Sequence, residues 1–274
     1  MEHSIKLFDI ITTALKAGEI ISDIYLNQND FLIQEKADSS PLTIADQASH
    51  HYLASRLAEL DSSIPILSEE GKEIPFESRE EWGYFWLIDP LDGTKEFINK
   101  NGEFTVNIAL IFQKQPVLSV IYAPVKKLLY FAKLQQGAYK LAGTDLHDLT
   151  ENELFEHAEK LPLNKEHSGT RIITSRSHIS DQTNHFINQE RRTSENIETI
   201  PMGSSLKLCL IAEGKADVYP RFEPTMEWDT AAGQLIVEES GGSVIRLPEM
   251  KEKLFYNKKV LINPSFIALT KNSK

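Results

Sequence analysis

The stretch Trp86-Leu87-Ile88-Asp89-Pro90-Leu91-Asp92-Gly93-Thr94-Lys95-Glu96-Phe97 decides how the rest of the chain is read. The apolar run from Tyr84 to Ile88 has the composition of a strand covered on both faces. Pro90 lacks an amide hydrogen and pushes Asp89 toward an extended conformation, so the strand is expected to stop there. Asp89 and Asp92 would then stand at the mouth of an apolar strand, where two carboxylates repel each other and resist desolvation. A divalent cation satisfies both. Gly93 permits a tight turn, and Thr94 opens a following turn or helix whose amides can hold a phosphate oxygen while its hydroxyl orients a water. An Asx-turn followed by an ordinary helix cap is the competing reading of the same residues.

The chain has 274 residues, enough for one large or two moderate domains with a sizeable core. Forty acidic against 29 basic residues give a formal net charge of -11, which argues against a broad positive face for DNA or RNA. A phosphate-bearing substrate would need metal ions or a few placed lysines and arginines. The single cysteine, Cys209, excludes an intrachain disulfide framework and a cysteine-based zinc site, and it fits a reducing compartment. Its neighbours Leu208, Leu210 and Ile211 read it as a buried core thiol. Glu2, Asp9 and Glu19 break up the N-terminal apolar residues, so no signal peptide is expected, and no stretch is apolar enough to span a bilayer. A soluble cytoplasmic protein is expected, with peripheral contact at the inner membrane left open.

Along the chain, Phe8, Ile11, Leu15, Gly18 and Ile21 recur at helical spacing and predict an amphipathic helix over Ile5 to Tyr25. Phe31 to Lys36 reads as a short strand. A second helix opens after Leu42, capped by Thr43, and runs to about Leu60. Asp46 lies in its first turn, where a carboxylate also suits the helix dipole. Ile64 to Leu67 is a further strand ending in carboxylates, Glu69 and Glu70, repeating the pattern at Asp89; ligands of layered α/β folds collect beyond such strand ends. Gly71 to Trp82 reads as an exposed connection. Phe104 to Phe112, Val117 to Ala123, Leu128 to Ala132 and Ala138 to Leu141 form an antiparallel meander. The polar stretch Gly143 to Gly169 holds the expected boundary between an N-terminal α+β half, residues 1–145, and a C-terminal α/β half, residues 146–274. That second half alternates strands at Arg171 to Thr174, Ile197 to Pro201, Val218 to Tyr219, Ser243 to Leu247 and Val260 to Ile262 with helices from about Ser180, Ser204 to Ala212 and Trp228 to Glu239. Gly241-Gly242 stops the last helix, and Asp229 falls in its first turn.

Taken in order, Asp38-Ser39-Ser40-Pro41-Leu42-Thr43-Ile44-Ala45-Asp46, Ser68-Glu69-Glu70, Trp86 to Thr94 and Trp228-Asp229-Thr230-Ala231-Ala232-Gly233 resemble the inositol monophosphatase superfamily of magnesium-dependent, lithium-sensitive phosphomonoesterases. Thr94-Lys95-Glu96-Phe97, Asn101 to Asn107, Tyr122-Ala123-Pro124, Ser175-Arg176-Ser177-His178, Gly203-Ser204-Ser205-Leu206-Lys207 and Tyr219-Pro220-Arg221 are similar to its bacterial 3'(2'),5'-bisphosphate nucleotidase branch. The resemblance implies a layered αβαβα sandwich of the inositol monophosphatase and fructose-1,6-bisphosphatase type, and a small nucleotide as substrate. Adenosine 3',5'-bisphosphate would be hydrolysed to AMP and phosphate by a water activated at the metal site, with a link to sulfur assimilation. The same resemblance implies that two or more Mg²⁺ are held by Glu69, Asp89, the Leu91 carbonyl, Asp92 and Asp229, and that Asp46, Glu69 and Thr94 surround the attacking water. Leu91, Asp92, Gly93 and Thr94 would meet the scissile phosphate beside Glu69 and Asp229. His178, Ser205, Lys207 and Arg221 match positions that line the nucleotide, and Lys36 is a further candidate near the phosphate. Lys207 and Arg221 read equally as ordinary surface charges. Another small phosphate ester, such as an inositol phosphate, is the alternative substrate, and a non-catalytic metal-binding regulator is the alternative class. An all-oxygen donor set without His or Cys suits Mg²⁺ better than zinc.

Overall fold

The computed structural model describes residues 5–27, 34–35, 41–143, 146, 148–163, 168–176, 179–193, 196–248 and 250–271. In chain order the elements are α1 (Leu7–Asn27), β1 (Gln34–Glu35), β2 (Pro41–Leu42), α2 (Ile44–Leu60), β3 (Ile66–Ser68), α3 (Phe76–Arg79), β4 (Tyr84–Asp92), α4 (Thr94–Ile98), β5 (Thr105–Phe112), β6 (Gln115–Ala123), β7 (Leu128–Lys133) and β8 (Gly137–Ala142). They continue as α5 (Glu151–His157), β9 (Glu159–Lys160), β10 (Thr170–Ser175), α6 (Asp181–Thr193), β11 (Ile197–Met202), α7 (Leu206–Ala212), β12 (Val218–Arg221), α8 (Glu227–Glu239), β13 (Ser243–Arg246) and β14 (Phe266–Leu269).

A seven-stranded sheet runs in the order β3-β4-β5-β6-β7-β8-β9, and a five-stranded sheet in the order β11-β10-β12-β14-β13. The first is an antiparallel meander except that β3 lies parallel to β4. Helices α1 and α2 pack on one face of the large sheet, α7 and α8 fill the space between the sheets, and α6 lies against β11 and β12. The result is the αβαβα sandwich. Strand β4 shows why its sequence is apolar throughout. Trp86 and Ile88 enter the core shared with α1 and α2, while Phe85 and Leu87 enter the one shared with α7 and α8. A strand with helices on both faces has no solvent side to mark with polar residues.

Helix α1 buries Ile11, Leu15, Gly18 and Ile21 as its spacing requires. Gly18 marks a close approach, because a Cβ there would press into the Tyr122 ring and stand 3.2 Å from Pro124 Cβ. Thr43 caps α2: its hydroxyl accepts from the Ala45 amide at 3.2 Å, and its own amide donates to Asp46 at 2.8 Å.

Several expectations are corrected. Strand β4 does not stop at Pro90 but continues to Asp92 through an irregularity: Asp89 is opposite Asn107 and Asp92 opposite Thr105, so Pro90 and Leu91 face Val106 alone. A bulge accepts a proline because the extra residue makes no ladder bond. The Gly71 to Trp82 connection contains α3, and Arg79 is buried there against Asn257. Val260 to Ile262 is no strand; Ile262 makes one isolated bridge to Met226, and the last strand among the described residues is β14. Helix α5 and the short β9 lie within the stretch read as a boundary, and β9 pairs with β8 of the first sheet. Of Phe31 to Lys36, only residues 34–35 are described, as β1.

Gly18→Ala is expected to lower stability by about 1–3 kcal/mol, the usual range for overpacking a tight contact. Urea denaturation would show it as a lower midpoint with an unchanged slope.

Candidate active site

The parallel pairing of β3 with β4 fixes the first part of the site. Ser68 stands opposite Ile88, and the Glu69 amide donates to the Ile88 carbonyl at 3.2 Å, so Glu69 leaves β3 beside Asp89. The bulge then turns the chain so that Asp89 and Asp92 both serve one end of the sheet. The Leu91 amide donates to Asp89 Oδ1 at 3.0 Å, and the Ser49 hydroxyl of α2 donates to the Pro90 carbonyl at 2.8 Å. Gly93, with φ 95°, turns left-handed before α4, a conformation that costs glycine little. Thr94 is the first residue of that helix.

Across from it, Asp46 is 1 % exposed, and its Oδ2 accepts from both the amide and the hydroxyl of Thr43, at 2.8 and 2.5 Å. Its Oδ1 accepts from the Thr94 hydroxyl at 3.2 Å, while the Leu91 carbonyl lies 3.5 Å from that hydroxyl. The helix-dipole reading of Asp46 is therefore true but incomplete: one oxygen belongs to the cap and the other reaches Thr94.

The second sheet contributes through α7 and α8. Asp229 lies in the first turn of α8, where its Oδ2 accepts from the Met226 amide at 2.9 Å. Ser205 occupies the N-cap position of α7 without a side-chain capping bond; its hydroxyl lies 2.6 Å from Asp92 Oδ2 and 2.9 Å from the Asp229 carbonyl, and it accepts from the Asn107 amide group at 2.9 Å. Beyond Asp92 a cleft opens between Ser205, Lys207, Tyr219, Arg221 and Asp229. The Lys207 ammonium sits over the Tyr219 ring, 5.9 Å from its centroid. Arg221 donates to the Pro224 carbonyl at 3.2 Å and stands 3.6 Å from Glu223, while its Nε has no hydrogen-bond partner among the described residues.

Charge explains the chemistry available here. Asp89, 1 % exposed, has its pKa pushed well above the usual carboxylate range, first by burial and then by the charges of Glu69, Asp92 and Asp229, with a Glu69 hydrogen bond adding to them. Asp229 is pushed up to about 8 by burial, then by Asp92 and Glu69, against the pull of the Met226 amide and Arg221. In the absence of a cation, a proton held among the carboxylates offsets their repulsion. Lys207 shifts the other way: burial lowers its pKa, Arg221 adds to the effect, and Asp92 opposes it. The fold thus sets a cluster of acids beside a cleft with two cations.

Among the described residues no three His, Cys, Asp or Glu side chains already stand in ligating arrangement. Asp92 turns an oxygen to Ser205 and Asp229 turns one to Met226, as uncompensated neighbouring carboxylates should. The donor set nevertheless fits a hard cation. It consists of carboxylates and a backbone carbonyl, and Asp89 is buried among acids whose repulsion a divalent ion would cancel.

The structure brings together Asp46, Glu69, Asp89, Leu91, Asp92, Gly93, Thr94 and Asp229, and sets Ser205, Lys207 and Arg221 on the adjoining cleft. His178 and Lys36 lie outside the described residues. His50 and His51 turn apart, His50 toward Ser68 and His51 toward the Gln47 carbonyl, so they form no metal pair. Cys209 is buried, and burial pushes its thiol up, away from reactivity. Asn107 escaped notice as an individual: it is 1 % exposed, links Asp92 to Ser205, and takes a hydrogen bond from Thr105. A buried amide in the otherwise apolar run Val106 to Ile111 was the available signal.

A carboxylate with a raised folded pKa holds its proton longer in the native state, so stability falls as pH rises from about 4 toward 8. Asp229→Asn in chelator is therefore expected to raise Tm, by ~2–4 °C at pH 8 and by less at pH 6. Thermal unfolding at the two pH values checks it, and a gain that shrinks with pH would contradict the assignment.

Comparison with known proteins agrees with this geometry. The family described as the inositol monophosphatase family matches residues 5–273. The "3'(2'),5'-bisphosphate nucleotidase CysQ" of Salmonella typhimurium is 41% identical over 238 residues, covering 87% of this chain and 89% of that protein. The protein of the same name from Escherichia coli strain K12 is 39% identical over the same length. Among solved structures, CysQ from Bacteroides thetaiotaomicron, described as a bacterial member of the inositol monophosphatase family, superposes with a TM-score of 0.88 at 46% identity, covering 97% of each chain. The suhB protein of Bartonella henselae shares the fold at a TM-score of 0.75 and 24% identity. With its acids at the strand ends, its sandwich fold and these relatives spanning most of its length, the chain belongs to the inositol monophosphatase family.

Proposed function

We propose that this protein is a magnesium-dependent 3'(2'),5'-bisphosphate nucleotidase that converts adenosine 3',5'-bisphosphate to AMP and phosphate, with 3'-phosphoadenylyl sulfate as a further substrate. The observation that carries the reading is the pairing of two unlike sites in one cleft. An acid cluster at Asp89 suits a cation-bound phosphate, and Lys207 and Arg221 suit a second anion on the same molecule. The names of the CysQ relatives support it.

Glu69, Asp89, the Leu91 carbonyl, Asp92 and Asp229 would hold the magnesium ions. When bound, Mg²⁺ supplies charge neutralisation at the phosphoryl oxygens and lowers the pKa of a water. Thr94 donates its proton to Asp46 Oδ1, which leaves the lone pairs of its hydroxyl oxygen to accept from a water and aim that water at phosphorus. Asp46 then serves as the acceptor toward which the water's proton moves through Thr94. The amides of Gly93 and Thr94 offer donors to the scissile phosphate, and Ser205, Lys207 and Arg221 hold the remainder of the nucleotide. Uncatalysed phosphate monoester hydrolysis is extremely slow, so positioning and charge stabilisation must supply most of the acceleration.

Among the described residues no helix is long and apolar enough to cross a membrane. The net charge of -11 gives no support to attachment at an anionic inner membrane, and a cytoplasmic small-molecule enzyme accords with the proposed substrate.

Phosphate release from adenosine 3',5'-bisphosphate and inositol 1-phosphate, each with Mg²⁺ and with chelator, tests the assignment. Mg²⁺-dependent preference for the nucleotide is expected, and preference for the sugar phosphate would overturn it. In the same assay Asp89→Asn should nearly abolish turnover, and Thr94→Ala should lower kcat by roughly 10²–10⁴ while Thr94→Ser retains most of it. Equal activity in the Ala and Ser variants would remove Thr94 from the mechanism.

A further inference from the structure

Strands β10 and β11 of the second sheet end close to the start of β5 in the first, and one buried carboxylate joins all three. Glu103, 6 % exposed, accepts a two-pronged contact from Arg176, with Nε at 2.6 Å from Oε2 and Nη2 at 2.8 Å from Oε1. The same Oε2 accepts from the Gly203 amide at 2.9 Å, and Arg176 Nη2 also donates to the Pro201 carbonyl at 3.0 Å. Glu103 itself is fixed by its amide, which donates to Asn101 Oδ1 at 2.9 Å. Burial alone would raise its pKa, but the Arg176 hydrogen bonds, the Gly203 amide and the charges of Arg176 and Lys126 together bring it below the usual range.

What this contact seats is the turn that enters α7. Ser204 holds a left-handed φ of 48°, unfavourable for a residue with a side chain, and it packs against Gly93. The next residues are Ser205, whose hydroxyl meets Asp92, and Lys207, which lines the cleft. Asp92 is fixed independently by the β4–β5 register, and Asn107 reaches it from the same sheet. The metal side of the cleft thus has its own supports. The far side is tied to it at Ser205, and the turn that carries Ser205 is held in turn by Glu103.

We propose that Glu103 and Arg176 form a latch that sets the spacing between the two halves of the cleft, and are positioning residues for a substrate that carries an anion at each end. The proposal rests on the bisphosphate reading. A phosphate ester that engages only the acid cluster needs no such spacing, whereas a nucleotide with a second phosphate must match it. Arginine suits the role because its planar fork meets both oxygens of one carboxylate, which a lysine ammonium does not.

The experiment compares Arg176→Gln and Arg176→Lys with the unaltered protein in Mg²⁺. Arg176→Gln is expected to raise KM for adenosine 3',5'-bisphosphate about 10-fold or more, equivalent to ~1.4 kcal/mol, and to leave kcat/KM for p-nitrophenyl phosphate within about threefold. Arg176→Lys, which keeps the charge but loses the fork, should fall between them. Hydrogen exchange at the Gly203 to Lys207 amides should accelerate in Arg176→Gln. An equal fall on both substrates accompanied by a lower Tm would reduce the pair to a structural contact and overturn the proposal, as would unchanged KM and unchanged exchange. If the unaltered protein does not act on the bisphosphate, that reading fails by itself, and exchange at Gly203 read with Tm decides the latch: acceleration with an unchanged Tm upholds it, and no change, or acceleration with a lower Tm, overturns it.

Discussion

Electrostatic repulsion among clustered carboxylates, Asp89 buried and its neighbours half-buried, is the constraint around which this fold is arranged. Glu69, Asp89, Asp92 and Asp229 come from three places in the chain, and each raises the cost of charging another. Such a cluster persists only because the scaffold around it is rigid. The β3–β4 pairing sets Glu69 beside Asp89, the bulge at Pro90 and Leu91 returns Asp92 to the same end, and α8 delivers Asp229 on its first turn. The stability of two apolar cores holds acids where their own chemistry would separate them.

The same arrangement explains why the molecule needs two sheets. The large sheet carries Glu69, Asp89, Asp92 and, just beyond its strand, Thr94. Asp229, Ser205, Lys207 and Arg221 stand on elements of the second half, with α7 and α8 packed between the sheets. Acids and cations thereby stand within a few side chains of one another, with Asp229 on the same half as Lys207 and Arg221. Such a cleft can orient a molecule whose two ends differ in what they bind, which a uniform patch of either sign does not do.

Much of this was legible in the sequence because the relevant signals are local. The apolar run before Asp89, the repeat of that pattern before Glu69, and the capping residues Thr43 and Gly241 each act within a few positions, and the corresponding elements appear where the spacing put them. The bulge was not legible: a proline normally ends a strand, and only the partner residues on β5 show that pairing resumes at Asp92. Strand β14 was hidden because a short buried strand has no alternation to betray it. The polar framework beneath the site was also hidden. Glu103, Asn107, Arg79 and Glu227 carried no individual reading, yet all four are buried, and each has a partner far along the chain that spacing does not encode.

If these acids together hold a divalent cation as proposed, calorimetric titration with Mg²⁺ shows it. Performed near pH 7 in two buffers of different ionisation enthalpy, the titration should show binding accompanied by proton release, because carboxylates with raised pKa values lose protons to the buffer when a cation takes their place. Asp89→Asn should weaken binding and diminish that release. Mg²⁺ binding of equal strength in both proteins, or binding with no exchange of protons in either, would contradict a cluster organised around a cation.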